Sequence, residues 1–306
     1  MVIRKPGSKG DIRRRLATSE ARLGLALALP AMVALALVIA YPFLQGIRWS
    51  FTDLYLLRGL NNWSWVGFQN YTQILSDPKT LDQLRATVIW VVGSLTLQLS
   101  LGLAFALLLH RRFRYRPIYR ALILIPWVTP PAVAALIWRW ILHADWGIAN
   151  NVLSSLGLIT QPVQWLADPT LVWVSLLVVG MWRHFPFWYV NLLAGLQMVP
   201  GELYEQAQID GASRLQSFRH ITLPQLMPVI TVLLLLETIW RANEFALIWT
   251  FTQGGPAGQT TTIAIATYMT SFQFHRIGLG SATGVLLALA LTVFTIFYVR
   301  SIDTER

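Results

Sequence analysis

Residues 200–224 read PGELYEQAQIDGASRLQSFRHITLP, and this stretch decides how the rest of the chain must be arranged. It is polar enough to sit in water yet patterned enough to fold. Leu203 and Ala207, then Leu215, Phe218 and Ile221, recur at helical spacing, and the period breaks at Asp210-Gly211, where a glycine is free to take a positive φ. The spacing predicts two short helices joined as a hairpin that lies on a membrane surface. Pro200 opens it near a helix start, and Pro224 precedes the next apolar stretch, where a missing amide hydrogen does least harm.

On either side the chain turns apolar. Of 306 residues, 55% are hydrophobic and only 12% charged, with a positive mean hydropathy, which is too apolar for an ordinary soluble domain. A bilayer core needs about 20 apolar residues in helix, because unpaired backbone groups cannot be left in hydrocarbon. Six stretches qualify: residues 23–45, 87–109, 121–142, 171–198, 228–251 and 277–298. The first is too long for a signal-peptide core and is followed by no convincing cleavage site, so it is read as a span. The fold class expected is all-α, a polytopic membrane protein with about six transmembrane helices, both termini on one side.

The net charge of +10 is carried by short basic segments between apolar runs, which reads as a topology signal rather than a nucleic-acid surface. Arg4, Lys5, Lys9, Arg13, Arg14, Arg15 and Arg22 precede the first span, and Arg111, Arg112, Arg114, Arg116 and Arg120 follow the second. The positive-inside rule makes both segments cytoplasmic. Residues 143–168 and 252–275 hold no Lys or Arg, as outer loops should. The first outer loop, 48–85, is more mixed, but its Trp63, Trp65, Phe68 and Tyr71 suit a headgroup level, and Trp138, Trp140, Trp146, Trp165 and Trp173 extend that belt. Interfacial anchoring is the plain reading of these rings, and sugar stacking is the other. There is no cysteine, so disulfide, thiolate-metal and Cys-nucleophile chemistry are excluded.

Within the hairpin, Glu205, Ala207, Asp210, Gly211, Ala212, Phe218, Ile221, Leu223 and Pro224 stand where a known pattern would put them. The stretch resembles the cytoplasmic loop of ABC importer permeases: Glu-Ala-Ala, three residues, Gly, nine residues, Ile, one residue, Leu-Pro. The departure is Gln206, where the family usually has Ala. The resemblance implies that the hairpin is a coupling helix seated in a groove on a separate ATPase subunit. No G-x-x-x-x-G-K-[ST] loop occurs in this chain, so ATP and Mg are expected on that partner, and no cofactor is expected here. The implied division is a basic arm at 1–22, a transmembrane domain at 23–300 containing the coupling loop 200–224, and a cytoplasmic tail at 301–306.

Other motifs are similar to the carbohydrate branch of these permeases, in particular the maltose-type larger subunit. They are Trp65-Val66-Gly67-Phe68-Gln69-Asn70-Tyr71, Pro126 with Thr129-Pro130-Pro131 and Ile137-Trp138-Arg139, Leu193-Ala194-Gly195-Leu196-Gln197 with Pro200, and Thr252-Gln253-Gly254-Gly255-Pro256 with Thr260–Thr262. A large inserted outer domain and extra amino-terminal spans are lacking. The resemblance implies a heterodimer with a second permease, an ABC ATPase dimer, an extracytoplasmic solute-binding protein and a sugar substrate, in a bacterial-type inner membrane. A glycerol phosphodiester or other polyol-type solute is the alternative within the same architecture.

Ionisable groups at membrane depth cost about 2.5–3.5 kcal/mol each on insertion scales, so they face a partner or a wet cavity. Arg183 and His184 stand beside Pro186 in the fourth span, where a kink is expected, and Glu237, Arg241 and Glu244 stand at spacings of four and three in the fifth. The expected translocation lining is Arg183, Phe187, Asn191, Glu237, Arg241, Asn243 and Glu244, with Trp182, Trp188, Tyr189 and Trp240 as apolar platforms; an internal ion-pair ladder bonded to Arg183 is the competing reading. A membrane enzyme using His110, His143, His184, His220 and His275 is disfavoured, since no pair has ligand spacing and no nucleophile elbow occurs. A purely structural scaffold would leave the hairpin unexplained.

Overall fold

The computed structural model describes residues 23–59, 61–111 and 114–304, so the basic arm 1–22 and Arg112 lie outside the described residues. Among these the secondary structure is helical apart from one isolated bridge between Thr52 and Trp65. Helix α1 (Leu23–Trp49) is apolar as far as Leu44, and only its final turns lie beside the last helix of the chain. Helix α2 (Gln69–Ser76) occupies the loop between the first two spans. Helix α3 (Pro78–His110) begins well before the expected residue 87, because the Asp77 carboxylate accepts from Lys79 N at 3.0 Å and Pro78 takes the first helical position. Polar residues of its first turns therefore stay helical beyond the apolar run.

The third expected span is not one rod. It consists of α4 (Arg116–Ile123), α5 (Ile125–Val128) and α6 (Pro131–Ile141), whose two arms meet at 96°. The break falls at Pro130-Pro131, where Thr129 is forced into extended backbone by the proline after it. Helix α7 (Ile148–Ser155) lies in the loop that follows α6, and α8 (Leu171–Met198) runs unbroken through Pro186.

The hairpin follows as α9 (Gly201–Ile209) and the start of α10 (Arg214–Ala242). Its second arm is thus not a separate short helix: through a wide π-turn at Phe218–Thr222 it continues past Pro224 into the fifth span. That span ends at Ala242 rather than at residue 251; the chain turns at 243–245 and resumes as α11 (Ala246–Thr252). Helix α12 (Ile263–Tyr268) leads into a second π-turn, and α13 (Ile277–Thr304) closes the chain, taking in most of the expected tail. Among the described residues five helices are long and apolar enough to cross a bilayer, and the bent third stretch, taken as one span, makes a sixth.

The centre of the bundle is the contact of α3 with α8. In lipid no hydrophobic drive separates helix from tail, so close approach rests on small residues. A Cβ on Gly180 would come 2.5 Å from the Trp90 ring, and one on Gly102 would come 2.5 Å from Trp188 Cβ. Each glycine thus seats a buried tryptophan of the facing helix. Gln98 donates to Gly180 O at 3.3 Å, and Trp90 Nε1 donates to Arg241 O at 3.0 Å, tying α10 to the pair. In the loop before α3, Asn70 donates to Ser50 O and Thr52 O at 2.9 and 2.8 Å, and Gly67 holds φ +57 in the turn before it. Gly278 N donates to Leu54 O at 3.0 Å, docking this loop on the start of α13.

Candidate functional site

Two regions carry the polar groups singled out in the sequence. The first lies among α8, α10 and the two helix breaks. Arg241 Nε stands 3.1 Å from Glu237 Oε2, and its Nη1 donates to Glu244 Oε2 at 3.0 Å. Glu244 lies past the end of α10, in the turn, and its other oxygen accepts from Leu247 N at 3.3 Å, so it caps α11. His184 Nε2 lies 3.8 Å from Glu244 and contacts the Arg183 guanidinium. Arg183 bonds neither glutamate: its Nε donates to Thr129 O at 3.2 Å, the carbonyl exposed by the Pro130-Pro131 break. Two arginines and two glutamates balance in charge, and both helix breaks are fastened by members of the group. Isolated, each charge would carry the full cost of burial.

This arrangement corrects several expected positions. Glu237 and Arg241 are buried within the chain and face each other rather than an open surface. Trp188, 0% exposed, and Tyr189 pack with Leu192, Leu226 and Leu233 in the core, so they offer no platform. Trp182 packs edge-on to Trp138 with centroids 5.7 Å apart. Asn191 donates to Phe187 O at 2.8 Å, within its own helix. The exposed members are Trp240 and Asn243, and Trp240 joins Phe187 and Trp127 in a strip of rings with centroids 5.4 and 5.8 Å apart. Phe187 is half-buried in the middle of that strip. Trp127 and Thr129 were missed in the sequence, although the prolines on either side of them were the available signal. A second ring cluster, Phe245, Trp249 and Tyr268, borders the turn at 243–245.

The second region is the hairpin. Helix α9 ends in a full Schellman arrangement: Ala212 N donates to Ala207 O at 2.8 Å and Gly211 N to Gln208 O at 3.1 Å, with Gly211 at φ +76. The second arm then opens with a capping box, Ser213 Oγ accepting from Gln216 N and Gln216 Oε1 accepting from Ser213 N. Tyr204 and Thr222 share a hydroxyl hydrogen bond of 2.9 Å that pins the arms together. Glu205, Asp210, Gly211 and Pro224 are exposed, while Ala207, Ala212, Phe218 and Leu223 are half-buried. At the tip Ile209 and Leu215 are 84% and 75% exposed. Apolar side chains exposed at the tip of an otherwise polar hairpin are a feature that contact surfaces present.

Comparison with known proteins agrees with this geometry. The family described as "Binding-protein-dependent transport system inner membrane component" matches residues 98–304. The trehalose/maltose transport system permease protein MalF of Thermococcus litoralis is 35% identical, over 95% of this chain and 97% of that protein. The sulfoquinovosyl glycerol transport system permease protein SmoG of Agrobacterium fabrum is 34% identical, over 95% and 94%. Among solved structures, a chain of a bacterial ABC transporter involved in the import of the acidic polysaccharide alginate superposes with a TM-score of 0.81, covering 94% of this chain and 98% of that one, at 23% identity, which speaks to the fold. The chain therefore belongs to the family of binding-protein-dependent transport system inner membrane components.

Proposed function

We propose that this chain is one of two permease subunits of an ABC importer that draws a sugar inward, with ATP hydrolysed on separate subunits engaged by residues 200–224. The observation that carries the reading is the hairpin: a capped, cross-bonded turn with Ile209 and Leu215 exposed at its tip and its second arm continuous with a membrane helix as far as Ala242. A push on the tip is transmitted along one rigid helix to Glu237 and Arg241, where the fifth span breaks. On this reading the hairpin and both termini are cytoplasmic, and Arg111, Arg114, Arg116 and Arg120 lie on the same side.

A second permease supplies the missing wall. Trp240 and Asn243 stand on the surface of this chain, and a pathway along them closes only against another subunit. The sugar is supported by relatives at 34–35% identity that are permeases of a trehalose/maltose and of a sulfoquinovosyl glycerol transport system, and by the ring strip Trp127, Phe187 and Trp240. A polyol-linked solute is the second reading, favoured by the glycerol glycoside of the Agrobacterium relative. The solute-binding receptor would deliver at the opposite face.

The decisive experiment is co-purification with Leu215→Glu. The wild-type permease should retain an ATPase dimer, and the variant should lose it while keeping its own melting temperature. Full retention of the ATPase by Leu215→Glu and by Ile209→Glu together would remove the docking role.

A further inference from the structure

A cavity of about 630 Å³ lies between the end of α6 and the loop leading into α8, outside the depth cluster and far from the hairpin. Its walls come from residues 136–146 and 164–167. They are built rather than incidental. Asn150 is buried beneath them and every valence of its amide is used: Nδ2 donates to Ala144 O and Val163 O at 2.8 and 3.0 Å, and Oδ1 accepts from Val163 N and Trp165 Nε1 at 3.3 and 2.9 Å. A saturated buried amide of this kind rigidifies both walls at once. A side chain at Gly147 would collide with the carbonyl of His143, so the turn between the walls is equally constrained.

The lining combines ring faces with opposed polar groups. Trp146, 54% exposed, has the His143 ring stacked on it at 3.8 Å between centroids and Trp140 edge-on at 6.3 Å. Arg139 spends one donor on Thr250 O at 3.0 Å, which holds the guanidinium in place and leaves its other donors toward the cavity. Asp145 supplies an acceptor and Gln164 both kinds of group. A pyranose matches this set, having C–H faces that lie against a ring and a rim of hydroxyls that donate and accept. An anionic lipid headgroup matches it poorly, since Asp145 opposes Arg139. The volume falls within the range of preformed small-molecule sites.

We infer that this cavity is a sugar subsite at the outer mouth of the permease, holding solute as it leaves the receptor and before it reaches Trp240. The inference rests on the sugar reading above. Its position suits that step: α8 starts four residues after Ala167 and ends at Met198 beside the hairpin, which places the cavity about 40 Å away at the opposite face.

The test uses the complete complex of both permeases, ATPase dimer and receptor in lipid nanodiscs and proteoliposomes, with a panel of pyranosides of one to three rings that includes maltose and trehalose. Hydrogen exchange over residues 139–147 and 163–167 should slow when a transported sugar is added. Trp146→Ala should abolish that protection and reduce the sugar moved per ATP hydrolysed by about five- to tenfold, and Trp146→Tyr should restore both. An intact complex that moves no sugar of the panel would overturn the substrate reading and this inference with it. Transport by the wild type that Trp146→Ala leaves unchanged would overturn the subsite alone. Uptake and hydrolysis falling in proportion would assign Trp146 a purely structural role, and protection that follows added phosphatidylglycerol instead of sugar would make the cavity a lipid site; either result sinks the proposal.

Discussion

Arg241 holds two carboxylates, Glu237 and Glu244, inside a helix bundle, and the consequence of removing it can be sized. Breaking a buried pair leaves an uncompensated charge and costs about 3–5 kcal/mol. Arg241→Leu should therefore lower the unfolding temperature in detergent far more than Glu237→Gln, which removes one charge while keeping the amide able to bond. Equal melting of Arg241→Leu and wild type would show that the ladder contributes nothing. A second residue-scale expectation concerns Gly180, where a Cβ would strike the Trp90 ring. Overpacking of this sort costs about 1–3 kcal/mol, so Gly180→Ala should melt early and Gly180→Ala with Trp90→Phe should recover part of the loss, as a smaller ring frees the space. The charges at depth were legible in the sequence because a lone ionisable group in an apolar run stands out. Which of them face solute was not legible. Trp188 and Trp240 are both tryptophans in apolar helices, and only packing buries one and exposes the other.

For the elements, the hairpin shows how local chemistry sets a mechanical part. Asp210-Gly211 marks the break, and the positive φ of Gly211 with the Ser213 capping box gives both arms defined ends. Replacing Ser213 by Ala should cost about 1 kcal/mol in the cap, and Gly211→Ala about 1–2 kcal/mol in left-handed backbone. Because both sites are exposed, the loss should be read in the concentration of ATPase needed for half-saturation of the permease, with expression unchanged. A fall in expression without a change in ATPase affinity would count against the hairpin as a docking element. From its spacing the second arm reads as a short helix of its own. A proline at position 224 looks like a stop, yet the π-turn at Phe218–Thr222 carries the helix through it. Similarly, the start of α3 was set too late, since an apolar window does not register polar turns that Asp77 and Pro78 hold in helix.

Across the whole molecule, the cavity beside Trp146 and the hairpin beside Gly201 lie at opposite ends of α8, so they must face opposite sides of the membrane. The absence of cysteine makes this testable without background labelling. In sealed inside-out vesicles, Gln208→Cys should react with an impermeant maleimide and Gln164→Cys should not; right-side-out vesicles should reverse the result. Labelling of both from one side would contradict the orientation. Composition and period alone determined that the chain crosses a membrane several times and carries one rigid polar hairpin, because the lengths of apolar runs answer to bilayer thickness and a glycine break answers to local backbone sterics. The 96° bend at Pro130-Pro131, the turn at 243–245 and the burial of Glu237, Arg241 and Trp188 were decided only by tertiary structure. A helix apolar nearly all round, as α8 is apart from a few polar residues such as Arg183 and His184, presents no stripe from which its inward face can be read, and the face is chosen by the glycines and tryptophans of the helix packed against it.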